Sequence, residues 1–315
     1  MKNNRTQILI KSLISIFFIY LLVRMIDFPL LKNAMITCYA PLAILALLIA
    51  VLLSFPLALR WYILLKGQVK NDKIRYINLW KFGMVGMLFN NFLPTGAGGD
   101  IVKVFYLVRE EKDKLLIGSS VLIDRFIGAF TVITMGVIAG LLAPNISEKT
   151  KLLLLVLLLF LLSIFIFFSY RTFALFLYSR FKRFIPNRWR ETLKNIYTVF
   201  NRYFSSKKTL FYVLLISFLL QSISILNNYI MARSLMWNYS YSPPLYQFFI
   251  FIPLIWTATL IPSIGGLGVR EFTYVYFFQA SMGKENAFAL SIIFLISIFI
   301  QSIIGGGILL FLKER

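Results

Sequence analysis

The chain has 315 residues, 59% hydrophobic and 14% charged, and its 33 Lys and Arg against 12 Asp and Glu leave a net charge of +21. A soluble domain carries roughly 25% charged residues, so a mean hydropathy of +0.81 leaves too little polar surface to cover a globule. A basic nucleic-acid binder is excluded on the same ground, and the basic excess belongs in the cytoplasmic loops of a membrane protein. The single cysteine, Cys38, rules out an intramolecular disulfide, and the lack of histidine removes the commonest metal ligand and neutral-pH base. No cofactor and no metal are expected.

A span takes about 20 apolar residues. The first apolar run follows Lys2, Arg5 and Lys11 and has no small-residue cleavage site after it, so it reads as an uncleaved span over 8–23 with its N-terminus inside. A second span is expected over 41–59, ending in the basic segment 60–81. Further spans are expected over 115–143, 152–169, 209–231 and 287–312. Two other apolar segments, 80–93 and 245–261, are short and run into a Pro and a Gly cluster, the pattern of re-entrant or discontinuous helices.

With six full spans and two hairpins returning to the side they entered, the segments 1–11, 60–81, 103–114, 171–208 and 313–315 lie inside. They hold 25 of the 33 basic residues, which is the distribution that orients a membrane protein. Both termini are then cytoplasmic. The segment 171–208 carries ten basic residues and Glu191 as its one acid. Within it Leu193, Ile196, Tyr197, Phe200, Tyr203 and Phe204 recur at helical spacing, which predicts an amphipathic helix attracted by anionic lipids of the cytoplasmic leaflet. Trp61, Trp80, Trp189 and Trp237, near span ends, read as interfacial anchors.

The two breaks resemble each other. The first reads Leu93-Pro94-Thr95-Gly96-Ala97-Gly98-Gly99-Asp100-Ile101-Val102-Lys103, the second Ile261-Pro262-Ser263-Ile264-Gly265-Gly266-Leu267-Gly268-Val269-Arg270-Glu271. Each runs apolar, Pro, hydroxyl, glycines, β-branched, then charge. Entered from opposite sides, they form an inverted-topology repeat. The expected architecture is a single integral domain over 1–315: an all-α polytopic membrane protein with about six full transmembrane helices and two Pro/Gly-broken re-entrant hairpins. Its first half covers about 1–170 with the break at 94–100, and its second about 209–315 with the break at 262–268.

Glycines at a helix break either permit a tight turn or let a ligand reach backbone N–H groups, and a half-helix starting there favours an anion. Gly96–Asp100 is no P-loop, because the Lys-Ser/Thr pair is missing. Six ionisable residues fall in apolar surroundings: Asp100, Lys103, Asp124, Arg125, Arg270 and Glu271. Each costs about 2.5–3.5 kcal/mol at the centre of a span, so they either pair to lock helices or line a polar site. In the second reading Lys103, Arg125 and Arg270 bind a phosphate head group while the acids position it or carry a proton or a cationic group. Asn90, Asn91, Asn227 and Asn228 either bind head groups or bridge helices. Gly136, Gly140 and Gly305–Gly307 read as close helix packing.

Asn91-Phe92-Leu93-Pro94 with Gly98-Gly99-Asp100, Asp124-Arg125 with Gly128, and Pro262-Ser263 with Gly265-Gly266-Leu267-Gly268-Val269-Arg270-Glu271 together resemble the flippase-like membrane domain of the lysylphosphatidylglycerol synthase/flippase family. The resemblance covers essentially the whole chain; Lys103 stands where the family pattern leads one to expect Arg. It implies a protein of the prokaryotic cytoplasmic membrane that moves an aminoacylated or other phosphate-bearing polar lipid between leaflets, with a polyprenyl-phosphate-linked lipid as second cargo. With the chain ending at Arg315, no aminoacyl transferase domain is expected and the protein is not expected to be an enzyme. Rival readings are a membrane-embedded transferase acting on a lipid phosphate, and a non-transporting scaffold. Homo-oligomers or docking with a separate lipid-modifying enzyme are the other partner expectations.

Overall fold

The computed structural model describes residues 2–69, 74–92, 98–109, 113–144, 146–170, 172, 180 and 187–312. They are predominantly helical, with no strand among them. In chain order the helices are α1 (Lys2–Met25), α2 (Phe28–Ile36), α3 (Ala40–Leu52), α4 (Ser54–Lys66), α5 (Tyr76–Phe92), α6 (Gly98–Val108), α7 (Lys114–Leu142), α8 (Glu148–Ser169), α9 (Asn187–Ser205), α10 (Lys207–Leu235), α11 (Leu245–Ala258), α12 (Val269–Met282) and α13 (Lys284–Leu312). Among the described residues five stretches are long and apolar enough to cross a membrane: Ala40–Lys66, Lys114–Leu142, Glu148–Ser169, Lys207–Leu235 and Lys284–Leu312. The chain is a polytopic all-α membrane protein.

Two expected spans run on past their expected ends. The first continues to Met25, and the chain then turns by 87° into Phe28–Ile36, where Asp27 caps a new helix, its carboxylate accepting from the Leu30 N–H at 3.1 Å, with Pro29 in the first turn. The second does not end at Leu59: helix continues to Lys66, drawing Arg60 and Trp61 out of the expected loop and into the interior at 4% exposure each. Trp61 is therefore no interfacial anchor; its indole N–H donates to Ser120 Oγ at 3.0 Å.

The chain forms two compact units. The first comprises Met1–Phe55, Trp80–Lys103 and Ser222–Arg315. Within it α13 packs on α2, α3 and α12, and α12 packs on α1 and α11. At about 1.5 Å per residue, α11 and α12, with 14 residues each, reach only about 21 Å, short of the ~30 Å apolar core of a bilayer. Their shared core is aromatic, with Phe248 and Phe278 ring centroids 4.7 Å apart and Tyr274 fully buried, its hydroxyl donating to Asn228 Oδ1 at 2.6 Å. Asn228 thus bridges helices. Gly305 lets α13 reach the backbone of Met84, a contact a Cβ would forbid.

The second unit comprises Pro56–Leu79 and Val104–Gln221. Here α7 packs on α8, with Gly140 against Leu154, and α9 packs on both. The apolar stripe of α9 is only partly free. Tyr203 and Phe204 are buried, Phe204 lying edge-on to Phe165 at 5.3 Å and Phe126 at 5.7 Å, whereas Leu193 is exposed. The Tyr203 hydroxyl donates to the Leu116 carbonyl at 3.2 Å, and burial holds its pKa above the usual tyrosine range. Residues 171, 173–179 and 181–186 of the basic segment lie outside the described residues.

Candidate functional site

The first unit brings the end of α5 against the second glycine break. Helix α5 ends at Phe92; Leu93, Pro94, Thr95, Gly96 and Ala97 lie outside the described residues, and α6 begins at buried Gly98. The chain returns closely enough that Gly99 lies on the backbone of Gly86, and Asn90 Oδ1 accepts from the Gly99 N–H at 2.8 Å. Asn91 donates to Ser302 Oγ at 2.6 Å, and its carbonyl faces Gly265 of the second break, where an added Cβ would sit 2.9 Å away. Asp100 and Lys103 form an ion pair at 3.6 Å over one helical turn. Asp100, in the first turn of α6, also sits where a helix favours negative charge.

The second break is built on left-handed backbone. Gly265, Gly266 and Gly268 have φ of +59°, +80° and +84°, a region that side chains other than glycine avoid. Pro262 is exposed, and Ser263 is buried with its hydroxyl 3.3 Å from the Ile261 carbonyl. The turn is fastened to α1, because buried Ser15 accepts from the Ile264 N–H at 3.0 Å.

Helix α12 then starts with a buried ion pair, Arg270 and Glu271 being 5% and 6% exposed. Glu271 Oε1 accepts from Arg270 Nε at 3.0 Å and Nη2 at 2.6 Å, and its other oxygen accepts from the Gly268 N–H at 2.6 Å. Glu271 occupies the third helical position and satisfies an N-terminal amide that would otherwise be orphaned. The cation is the unusual member: a positive charge in the first turn opposes the helix dipole, and this one is also buried. Its guanidinium lies 5.5 Å from the Phe294 ring centroid.

In the second unit Asp124 takes a partner that the sequence did not announce. Its carboxylate accepts from Arg60 Nε at 2.7 Å and Nη2 at 2.9 Å, a bidentate pair, while Arg60 Nη1 donates to Ser217 Oγ at 2.9 Å. Ser217 shares a hydrogen bond of 2.8 Å with Thr131, and Gln221 donates to the Gly128 carbonyl at 3.2 Å. Gly128 makes the room: an added Cβ would stand 3.3 Å from Arg60 Nη1. Asp124 and Gly128 are therefore spaced one turn apart on α7 to hold one guanidinium. Arg125, the adjacent residue, is exposed.

Of the six ionisable residues singled out in the sequence, Asp100, Lys103, Arg270 and Glu271 belong to the first unit and Asp124 and Arg125 to the second. Arg60, Ser217, Thr131, Gln221 and Ser15 were not singled out. Arg60 had a detectable signal, since an acid inside a span requires a cation and Arg60 directly follows an apolar run. Ser15 had none. Two of the amides that the sequence offers to an anion are already engaged, Gly99 N–H by Asn90 and Gly268 N–H by Glu271.

The contact at the first break gives a direct test. Gly99→Ala places a methyl against rigid backbone and is expected to lower stability by about 1–3 kcal/mol, the cost of overpacking. Gly83→Ala on the same helix α5 meets nothing within 4 Å and serves as control. Thermal unfolding in detergent reads the difference; equal midpoints for the two variants would refute the close crossing.

No curated protein and no solved structure matches the chain. The paired glycine breaks and the Asp124–Gly128 spacing that cradles Arg60 lie within residues 8–305, which match the family described as the lysylphosphatidylglycerol synthase TM region, and the chain belongs to that family.

Proposed function

We propose that this protein moves a phosphate-bearing polar lipid between the leaflets of the prokaryotic cytoplasmic membrane, and that it acts as a transporter rather than an enzyme. The observation that carries the reading is the buried Arg270–Glu271 pair at the start of α12, directly after the second glycine break. One carboxylate oxygen lies in the fork of Arg270, with Nε and Nη2 both donating to Oε1, and an arginine fork accepts a phosphate oxygen in the same place. A head group that replaces Glu271 on Arg270 crosses the apolar region with its charge compensated, and its departure restores the resting pair. Family membership supports lipid as the cargo. The short helices on either side of the breaks suit re-entrant hairpins, and the distribution of basic segments supports cytoplasmic termini.

The test is reconstitution in liposomes with head-labelled phosphatidylglycerol, lysyl-phosphatidylglycerol and polyprenyl phosphate, beside a glycosyl diacylglycerol that has no phosphate. Faster leaflet exchange of one or more phosphate-bearing lipids, with the glycolipid unchanged, is the expected result. No acceleration of any phosphate-bearing lipid over protein-free vesicles would contradict the proposal, and so would chemical conversion of the lipid by the protein alone.

A further inference from the structure

A recess of about 140 Å³ lies between the 87° elbow of α1 and α2 and the start of α12. Ile19, Leu22 and Val23 of α1 and Phe28 of α2 form its walls, and Gly268 and Glu271 lie at its inner end. The one carboxylate in the lining presents no free charge to the recess: Oε1 is held by Arg270 and Oε2 by the Gly268 N–H. A polar or charged occupant therefore finds nothing to bind. Gly268 is required here for space as well as conformation, because an added Cβ would stand 2.8 Å from the Ser15 carbonyl and 3.4 Å from Ile19.

We infer that this recess holds part of one hydrocarbon tail of the transported lipid, while its phosphate engages Arg270 on the other side of the same helical turn. The inference rests on the proposed function for the identity of the lipid and adds the tail as a second element of recognition. Three observations fix the chemistry. The walls are hydrocarbon. The residues at the mouth, Ile19, Val23 and Phe28, are 44%, 52% and 54% exposed, on a helix of an apolar span where the surrounding solvent is lipid chain. The volume equals about five water molecules at ~30 Å³ each, enough for a short stretch of one chain and too small for two. Continuity with Arg270 through Glu271 selects the tail of the lipid whose head is bound there, in place of any passing bilayer chain.

The experiment uses the full chain in proteoliposomes with two photoreactive probes that differ only in the head: phosphatidylglycerol and diacylglycerol, each with a diazirine in one tail. Labelled peptides are mapped by mass spectrometry, and α8, an apolar span with little buried surface, reports non-specific contact. Several-fold more labelling of residues 19–28 and 267–288 by the phosphate probe than by diacylglycerol, with α8 labelled equally by both, is expected. Val23→Trp, which fills the mouth from an exposed position, should abolish that excess while the protein remains monodisperse. Arg270→Met with Glu271→Gln should remove it as well. Equal labelling by both probes at the elbow, or an excess that survives Val23→Trp, would overturn the inference. The two readings fail separately: head-independent labelling with transport intact overturns the tail site alone, whereas head-dependent labelling without leaflet exchange supports the tail site and contradicts transport.

Discussion

Arg270→Ala is expected to abolish leaflet exchange and to lower stability by about 3–5 kcal/mol, because Glu271 remains as a buried carboxylate without its counter-ion. Both effects follow from one substitution, so the paired replacement separates them. In Arg270→Met with Glu271→Gln no buried charge is left, and the Gln carbonyl can still accept from the Gly268 N–H that Glu271 now holds at 2.6 Å. Neutral, well-packed substitutes for buried ion pairs commonly restore stability, so this protein is expected to unfold within about 1–2 kcal/mol of the wild type. Its transport should stay absent, since neither side chain can hold phosphate. Recovery of both stability and transport would assign the pair a purely structural role. Thermal unfolding in detergent and leaflet exchange in liposomes, run on the same preparations, decide between them.

The second large effect is expected in the other unit. Asp124→Ala strips the bidentate partner from Arg60, which is 4% exposed and donates to Asp124 and Ser217. The loss is expected to be about 3–5 kcal/mol, the cost of an uncompensated buried charge. Asp124→Asn keeps one acceptor and should cost less. Arg125→Ala is the comparison that matters, since it removes the adjacent charge from an exposed position; it should change stability by less than about 1 kcal/mol. Unfolding midpoints for the three variants test the assignment. A larger loss for Arg125→Ala than for Asp124→Ala would show that the pairing is wrong.

The chain shows how far hydropathy and turn chemistry reach in a membrane protein. Apolar runs longer than a bilayer is thick identify spans without further information, and four of the expected spans, 115–143, 152–169, 209–231 and 287–312, fall inside α7, α8, α10 and α13 or within a residue of their ends. The turn at 262–268 was legible for a different reason: Pro removes a donor and Gly populates left-handed backbone, and Gly265, Gly266 and Gly268 do so; of the break expected at 94–100, residues 94–97 lie outside the described residues and 98–100 are already helical. The end of the second span was misplaced because Arg60 reads as a loop residue by charge, whereas a carboxylate one helix away makes it an interior one. Hydropathy scores residues singly, and Arg60 with Asp124 is a pair. Asp27 hid the elbow similarly, as a helix cap in a stretch whose average hydropathy still resembled a span. Ser15 left no trace at all, because a hydroxyl inside an apolar helix is recognisable only once its acceptor role toward Ile264 is known.

That difference bears on the site. Charges next to glycine could be listed from the sequence, but which cation answers which acid could not. Arg270 and Glu271 are adjacent in sequence and pair with each other; Asp124 and Arg125 are equally adjacent, yet the bidentate partner of Asp124 is Arg60 from another helix. Adjacent residues on a helix point about 100° apart, so the first pair is the exception, allowed by the N-terminal position of Glu271, which curls back toward the turn to hold the Gly268 amide.

Arg270, freed from Glu271, is the proposed carrier of a lipid phosphate across the apolar region. The most direct test is chemical reduction, from outside sealed vesicles, of head-labelled phosphatidylglycerol, lysyl-phosphatidylglycerol and polyprenyl phosphate, each in its own vesicles, comparing wild type with the Arg270→Met, Glu271→Gln protein at matched stability. For at least one of these lipids the reductant is expected to reach nearly all the label in wild-type vesicles and only the outer leaflet's share in vesicles holding the variant or no protein. Complete reduction of that lipid in vesicles holding the variant, or protection of the inner leaflet by the wild type for all three, would contradict the proposal.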